Sequence, residues 1–299
     1  MPIFDTPAPI SVSVEIDVGS AEIIASDRAD TLVEVSPTNP AKKSDVTAAE
    51  QTLVNYGNGV LTVKVPKTWR RHVASNSASV DVKIELPSGS RLRGEAGVGR
   101  LRTTGVLGEC TFKVGAGDIQ LTQAGPLQLR TGVGDITIER ADEHSEITTG
   151  SGTIHLSRVE GPAVIKNANG DIRVGEARAD LRTTTSNGKI WVALARSDVE
   201  AKTANGSVQI DEVMHGSVHA QTAMGKVEVG VRRGVAALLD LETSFGKVVN
   251  DLDASEAPQP GEPSVEVRAR TGFGDIRLFR AGGPETMESP AFFEGTDHD

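Results

Sequence analysis

The sequence predicts an all-β chain: a single-domain parallel β-helix (β-solenoid) with about 18 residues per rung. Three observations carry this expectation. A unit of Thr, small residue, any residue, Gly, any residue, Ile/Leu/Val recurs along the chain. The position two after its glycine is aliphatic at every recurrence. The composition holds 32 glycines and only 3% aromatic residues in 299, which suits stacked aliphatics better than a compact core of large rings.

The repeat is plainest at Thr131-Gly132-Val133-Gly134-Asp135-Ile136, Thr149-Gly150-Ser151-Gly152-Thr153-Ile154 and Thr203-Ala204-Asn205-Gly206-Ser207-Val208. Its last glycine falls at Gly99, Gly117, Gly134, Gly152, Gly170, Gly188, Gly206, Gly225, Gly246 and Gly274, with gaps of 18, 17, 18, 18, 18, 18, 19, 21 and 28. The register is regular to residue 225 and then loosens. The last gap contains Pro258-Gln259-Pro260-Gly261-Glu262-Pro263, which reads as a loop inserted between rungs.

Two positions after the glycine stand Leu101, Ile119, Ile136, Ile154, Ile172, Ile190, Val208, Val227, Val248 and Ile276. At 37% hydrophobic residues, ten such hits by chance have odds of about 1 in 20,000 before alignment freedom is counted. Four positions after it, all but Thr103 and Asn250 are again aliphatic, the two-residue alternation of a strand with one buried face. A second strand precedes the turn, in pairs such as Leu127/Leu129 and Val199/Ala201 separated by Gln128 and Glu200. Seven after the glycine come Val106, Ala124, Ala141, Val159, Ala177, Ala195 and Val213, small enough for a third corner. The turn glycines mark a corner where a Cβ would clash or φ is positive. The Thr column is expected to form a hydroxyl ladder beside it.

Residues 10–88 lack the strict period but alternate like strands, as in Ser11-Val12-Ser13-Val14-Glu15-Ile16 and Val60-Leu61-Thr62-Val63-Lys64-Val65, and 45–54 could form a short helix. The expected organisation is an extension over 1–9 and a solenoid over 10–280. Within it, 10–88 form irregular rungs and a cap and 89–280 the regular repeats; an acidic disordered tail occupies 281–299. That tail carries Glu285, Glu288, Glu294, Asp297 and Asp299 with no Lys or Arg, half of the net charge of -10.

An acidic chain without an Arg-rich, aromatic-interleaved patch points away from nucleic acid, because neutralising phosphates takes clustered positive charge. No stretch approaches 18 consecutive apolar residues, and the start, Met1-Pro2-Ile3-Phe4-Asp5-Thr6-Pro7, has no basic region leading into an apolar run. No membrane span or export signal is expected. The single cysteine, Cys110, permits no internal disulfide and is compatible with a reducing compartment, so the expected location is cytoplasmic.

The Gly-x-Gly-Asp-Ile of 115–119, 132–136 and 272–276, together with Asn169-Gly170-Asp171-Ile172, resembles a bacterial family of β-strand repeat proteins known as putative adhesin or toastrack, a domain of unknown function. The likeness covers roughly residues 10 to 280. It implies a parallel β-helix and an association with adhesion and cell-envelope stress. Many relatives are membrane-attached or exported, and this chain departs from them in showing neither signal nor span. The resulting expectation is a non-enzymatic scaffold or interaction protein whose partner is a protein or a cell-envelope component, with a homo-oligomer possible through uncapped ends.

Candidate chemistry is sparse. Asp118, Asp135, Asp171 and Asp275 follow turn glycines, but Lys189, Lys226 and Lys247 take the equivalent place elsewhere. A lysine there cannot ligate a hard cation, so these aspartates read as solvated turn residues rather than calcium ligands. A left-handed hexapeptide helix fails on period, since the position eight after the glycine holds Asp142, Glu160, Arg178 and Arg196. The main alternative is a carbohydrate-active β-helix enzyme with carboxylates on one face. Against it, nothing pairs the aspartates, and Trp191 is the sole aromatic in the outward column three after the glycine.

No catalytic residue, metal ligand or cofactor site is assigned. Cys110 reads as a small core residue, and the six histidines share no column. The partner-binding candidates are Lys113, Arg130, Lys166 and Lys202. With Arg270, and against Glu95 and Glu242, they occupy the column four before the glycine and could present a basic stripe to an acidic partner or anionic polymer.

Overall fold

Because each repeat buries one face of two short strands, a rung can satisfy its backbone and cover its aliphatics only by lying on another rung. The computed structural model, which describes residues 1–66, 78–252 and 264–282, is that stack. A typical rung is a strand before the turn, the glycine corner and a strand after it. Leu127–Val133 leads to Ile136–Ala141, and Ser145–Ser151 to Ile154–Val159. First strands pair in parallel with first strands, and second with second. Ser11–Ser26 and Arg91–Leu107 run through the corner as single long strands and so belong to both sheets.

The inward files align as the period requires. Ile136, Ile154, Ile172, Ile190 and Val208 are successive register partners, and all are fully buried. Cys110 lies in the first-strand file opposite Leu92 and Leu127, completely buried. Burial pushes its thiol up to about 12, with the Glu109 charge adding to the effect, so it is a core residue and not a nucleophile.

The corner explains the motif residue by residue. At Gly134, Gly152, Gly170, Gly188 and Gly206, φ lies between +132° and +149°, and an added Cβ would sit 2.0–2.1 Å from the carbonyl oxygen of the glycine one rung earlier. That carbonyl is also where the Thr column goes. Thr131, Thr149, Thr185, Thr203 and Thr222 each donate their hydroxyl to the preceding rung's turn glycine, at 2.8–3.3 Å. The expected hydroxyl-to-hydroxyl ladder is therefore corrected to a hydroxyl-to-carbonyl clamp, because the glycine corner leaves a buried acceptor within reach and the threonines are themselves buried. In the rung of Gly170, where Asn167 takes the threonine's place, Asn167 Nδ2 donates to the carbonyl of Gly152 at 2.8 Å.

The turn aspartates, exposed at Asp135 and half-buried at Asp118 and Asp171, are not merely solvated. Asp118 Oδ1 accepts the backbone N–H of Asp135, Asp135 Oδ1 that of Thr153, and Asp171 Oδ1 that of Lys189, at 2.6–3.0 Å. Each carboxylate thus ties its corner to the next. Asp135→Ala should therefore cost about 1 kcal/mol, the net worth of one such bond. Asp135→Asn keeps an Oδ1 acceptor and should stay within about 0.5 kcal/mol of the parent. Chemical denaturation of the two variants checks this, and equal losses would remove the hydrogen bond from the account.

At both ends the stacking order departs from the chain order. The rung of Ser11–Ser26 lies between that of Val60–Lys64 with Val80–Pro87 and that of Arg91–Leu107. At the other end Ser264–Phe273 and Ile276–Arg280 pair on one side with Gly216–Met224 and Val227–Val231, and on the other with Ala236–Phe245 and Val248–Asn250. The expected sequence Gly225, Gly246, Gly274 is thus Gly225, Gly274, Gly246 in space. Side chains agree: Thr271 donates to the Gly225 carbonyl, Thr243 to that of Gly274, and Asp275 Oδ1 accepts from Lys247 N–H. The Pro-rich stretch read as a loop between rungs, 258–263, lies outside the described residues.

The two ends are finished differently. At the N-terminal end, Asp30–Pro37 runs antiparallel to Val80–Pro87 and Leu53–Gly57 antiparallel to Val60–Lys64, with the helix Lys43–Glu50 between them. Ile3–Asp5 adds a further antiparallel strand on Asp30–Pro37. Buried Asp45 anchors the helix, accepting from Ser79 N–H at 3.1 Å and pairing with Lys42 at 3.1 Å. Reversing strand direction covers the edge against another parallel rung. At the C-terminal end the outermost described rung is Ala236–Phe245 with Val248–Asn250. Its pairings among the described residues are all on one side, and none of its residues is fully buried. No helix among the described residues is long and apolar enough to cross a membrane.

Candidate interaction faces

Three outward features follow from this geometry. The first is the stripe. Lys113, Arg130, Lys166 and Lys202 stand in one outward column of the first sheet, since Lys113 is the partner of Arg130, Arg130 of Thr148, and Thr148 of Lys166. Lys166 is the partner of Thr184, Thr184 of Lys202, and Lys202 of Gln221, whose other partner is Arg270. Glu15 and Glu95 precede Lys113, and Glu242 follows Arg270. The basic residues are thereby brought together with only Thr148, Thr184 and Gln221 between them, and the acids fall at the two ends. Lys113, Arg130 and Lys166 are exposed, while Lys202 is half-buried and pairs with Glu200 at 2.5 Å.

A shallow groove of about 400 Å³ opens at one end of this stripe, lined by Glu15, Arg93, Glu95, Lys113, Gln128 and Arg130. A second, of about 420 Å³, lies farther along the same sheet over Asp180, Arg182, Asp198, Glu200 and His219. Both are open clefts between side chains of successive rungs.

The second feature, missed in the sequence reading, is a ridge formed by the residue before each turn glycine. It is flanked by small residues, so it stands clear of the surface. Along the stack it runs through Val98 and Val133, then through Asn169, Asn187 and Asn205, then through Met224, Phe273 and Phe245. Neighbouring asparagines bond amide to carbonyl at 2.8 and 2.9 Å. Phe245 and Phe273 stack with centroids 4.8 Å apart and planes 6° off parallel. The signal was available as the apolar residues at 98, 133, 224, 245 and 273, all one place before a glycine.

The third feature is a charge network at the third corner. Arg140 pairs with Asp142 and Glu160, Arg178 with Glu160 and Glu176, and Arg158 and Arg196 also with Glu176. The hydrogen bond from Arg178 holds the Glu176 carboxyl below the usual range, and the bond from Lys202 does the same for Glu200. Carboxyls held ionised in this way lack the raised pKa that a general acid needs. Trp191 donates its indole N–H to Asp211 at 2.8 Å, a surface anchor beside its register partners Arg173 and Gln209. Among the described residues no three of His, Cys, Asp or Glu converge on a common point to hold a metal ion.

Comparison with known proteins fits this geometry. A family model described as Toastrack DUF4097 matches residues 11–233, most of the chain and all the rungs from Ser11–Ser26 to Val227–Val231. This chain belongs to the Toastrack DUF4097 family. Among solved structures, it is similar to a putative adhesin from Parabacteroides merdae at 11% identity and a TM-score of 0.46, covering 93% of this chain and 94% of that one. It is also similar to a putative adhesin from Bacteroides fragilis at 11% identity and 0.41, covering 93% and 95%. A third is a putative cell adhesion protein from Clostridium sporogenes at 13% identity and 0.23, covering 93% and 98%. No curated protein sequence matches.

For this toastrack chain the cytoplasmic expectation is corrected. The structures it is similar to are named for adhesion, which takes place at surfaces. The residue argument for the cytoplasm has no discriminating force either, because a lone buried thiol forms no internal disulfide in any compartment.

Proposed function

We propose that this toastrack chain is a non-catalytic recognition rod that binds an anionic protein or cell-envelope component along the stripe of Lys113, Arg130, Lys166 and Lys202. The observation that carries the reading is the order of the column, basic from Lys113 to Arg270 with carboxylates only at its ends. Seven rung steps at about 4.8 Å make the stripe about 34 Å long, a length suited to an extended ligand rather than to a small molecule. The parallel stack holds these charges at fixed height, so an extended polyanion meets them without the chain having to order itself first. The adhesion names of the similar structures point the same way.

Retention on immobilised dextran sulfate at low salt tests this, since a chain of net charge -10 is held by a polyanion only through a local positive surface. The parent should be retained and released by salt. The Lys113→Glu/Arg130→Glu/Lys166→Glu/Lys202→Glu variant, folded by circular dichroism, should bind at least tenfold more weakly. Equal retention of the two, or no retention of the parent, would overturn the stripe. Turnover of a polysaccharide by the purified parent would overturn the non-catalytic reading.

A further inference from the structure

Asn58-Gly59, Asn169-Gly170, Asn187-Gly188 and Asn205-Gly206 are the Asn-Gly pairs of the chain, and all four asparagines are exposed. Such a pair can modify itself. The glycine nitrogen attacks the asparagine Cγ, a new C–N bond forms as the Cγ–Nδ2 bond breaks, and ammonia leaves with the proton of the glycine nitrogen. Water then opens the cyclic imide at one of its two carbonyls, leaving an aspartyl or an isoaspartyl residue. Glycine permits the approach because no Cβ stands beside its nitrogen. Since access to solvent is common to the four pairs, hydrogen bonding decides between them.

Three of the pairs are locked by the stack. The N–H of Gly170 donates to the Asn187 carbonyl at 2.7 Å, that of Gly188 to the Asn205 carbonyl at 2.9 Å, and that of Gly206 to the Met224 carbonyl at 2.9 Å. The side chains are held as well, with Asn187 Nδ2 donating to Asn169 Oδ1 at 2.8 Å and Asn205 Nδ2 to Asn187 Oδ1 at 2.9 Å. For attack, the glycine nitrogen must leave its bond between rungs and the amide must leave its ladder. These three pairs therefore react only from a locally opened stack.

Asn58-Gly59 is held by neither device. It is the two-residue turn between Leu53–Gly57 and Val60–Lys64, with Gly57 and Val60 as register partners. Asn58 has φ +53° and Gly59 φ +75°, the two positive values that a type I′ hairpin turn requires. Among the described residues the Gly59 N–H has no acceptor, and a Cβ built on Gly59 would meet nothing within 4 Å.

We propose that Asn58 is a self-modification site, and that its isoaspartyl form unlatches the N-terminal cap. In that form the main chain runs through Cβ and Cγ, one atom longer than before. The turn then no longer fits the two-residue closure that sets Gly57 opposite Val60. The Gly59 carbonyl, which accepts the Ser11 N–H at 3.0 Å, shifts with it. Among the described strands Leu53–Gly57 pairs only with Val60–Lys64, so losing that pairing uncovers the edge of the first sheet.

Ageing of the full chain at mildly alkaline pH, followed by peptide mapping, tests the site. In the folded chain Asn58 should convert at least about tenfold faster than Asn169, Asn187 or Asn205, and in urea the four should convert within about threefold of one another. Equal rates in the folded chain, or an Asn58 that converts only in urea, would overturn the assignment. Amide hydrogen exchange tests the consequence. The amides of 53–64 should exchange severalfold faster in the isoaspartyl form, with 181–213 unchanged. In freshly prepared Asn58→Asp, which adds the charge without the extra atom, they should exchange at the parent's rate. Unchanged exchange in the isoaspartyl form, or an equal rise in Asn58→Asp, would overturn the unlatching.

Discussion

Ile154→Asp unfolds the middle of the stack. Ile154 is fully buried and has Ile136 below it and Ile172 above it in the same file. Removing the side chain costs 2–5 kcal/mol at a buried site, on the order of what such truncations cost generally. Placing a carboxyl there with no partner adds several more, roughly 2–7 kcal/mol for an unbonded polar group before its charge is counted. The sum rivals the whole stability of about 5–15 kcal/mol expected for a folded domain. In a stack where each rung touches only its neighbours, the loss severs the two flanking blocks. The chain should lose its cooperative transition or melt in two steps. Thr137→Asp, at an exposed position beside His155, should change stability by no more than about 0.5 kcal/mol. Thermal unfolding followed by circular dichroism separates the two, and an Ile154→Asp chain melting like the parent would contradict the file.

Gly188→Ala should have an effect of the same kind from a single methyl group. The backbone there has φ +149°, and the new Cβ would lie 2.1 Å from the Gly170 carbonyl oxygen and 2.5 Å from its carbon. Gly170 has little room to yield, because its carbonyl accepts the hydroxyl of Thr185 at 3.3 Å while its N–H donates to the Asn187 carbonyl of the next rung at 2.7 Å. Strained φ alone costs about 1–3 kcal/mol. With the displacement of two corners the total should exceed about 3 kcal/mol, and a stability loss below about 1 kcal/mol in urea denaturation would show that the corner can relax. Ser186→Ala, two residues earlier, changes a position where other rungs already carry alanine, as at Ala168 and Ala204. It should be nearly neutral.

What could be read from the residues was whatever every rung must repeat. The Ile files, the turn glycines and the outward charges recur because the same geometric demand recurs about every 18 residues, and the family resemblance rested on the same corner residues. Stacking order at the ends carried no such mark. A parallel strand offers equivalent hydrogen-bonding edges on both sides, so Ser264–Phe273 can lie on Gly216–Met224 as readily as Ala236–Phe245 can. Only the widening of the glycine gaps hinted that something changed there.

Ser11–Ser26 does not carry the repeat motif, because Asp17 stands two before Gly19 where the regular rungs have Gly, Ala or Ser. Yet Gly19 pairs with Gly99 in register and has φ +139°. The clamp by threonine and the tie by aspartate were invisible for a related reason: both join residues 14 to 18 apart whose proximity exists only once rungs are stacked. The stripe was visible as residue types, but its acids moved to its ends only when Glu242 took the outermost rung.

Distances between spin labels along one outward column test the stack most directly. With Cys110 replaced by Ala, labels paired with Gln209 at Thr137, Gln120 and Arg102 lie four, five and six rungs away in the same file. Pulsed electron resonance should return separations rising in even increments of about 4.8 Å, near about 19, 24 and 29 Å. Separations that fail to grow by one rung height at each step would mean that the chain does not coil once per repeat, and the account would fall with it.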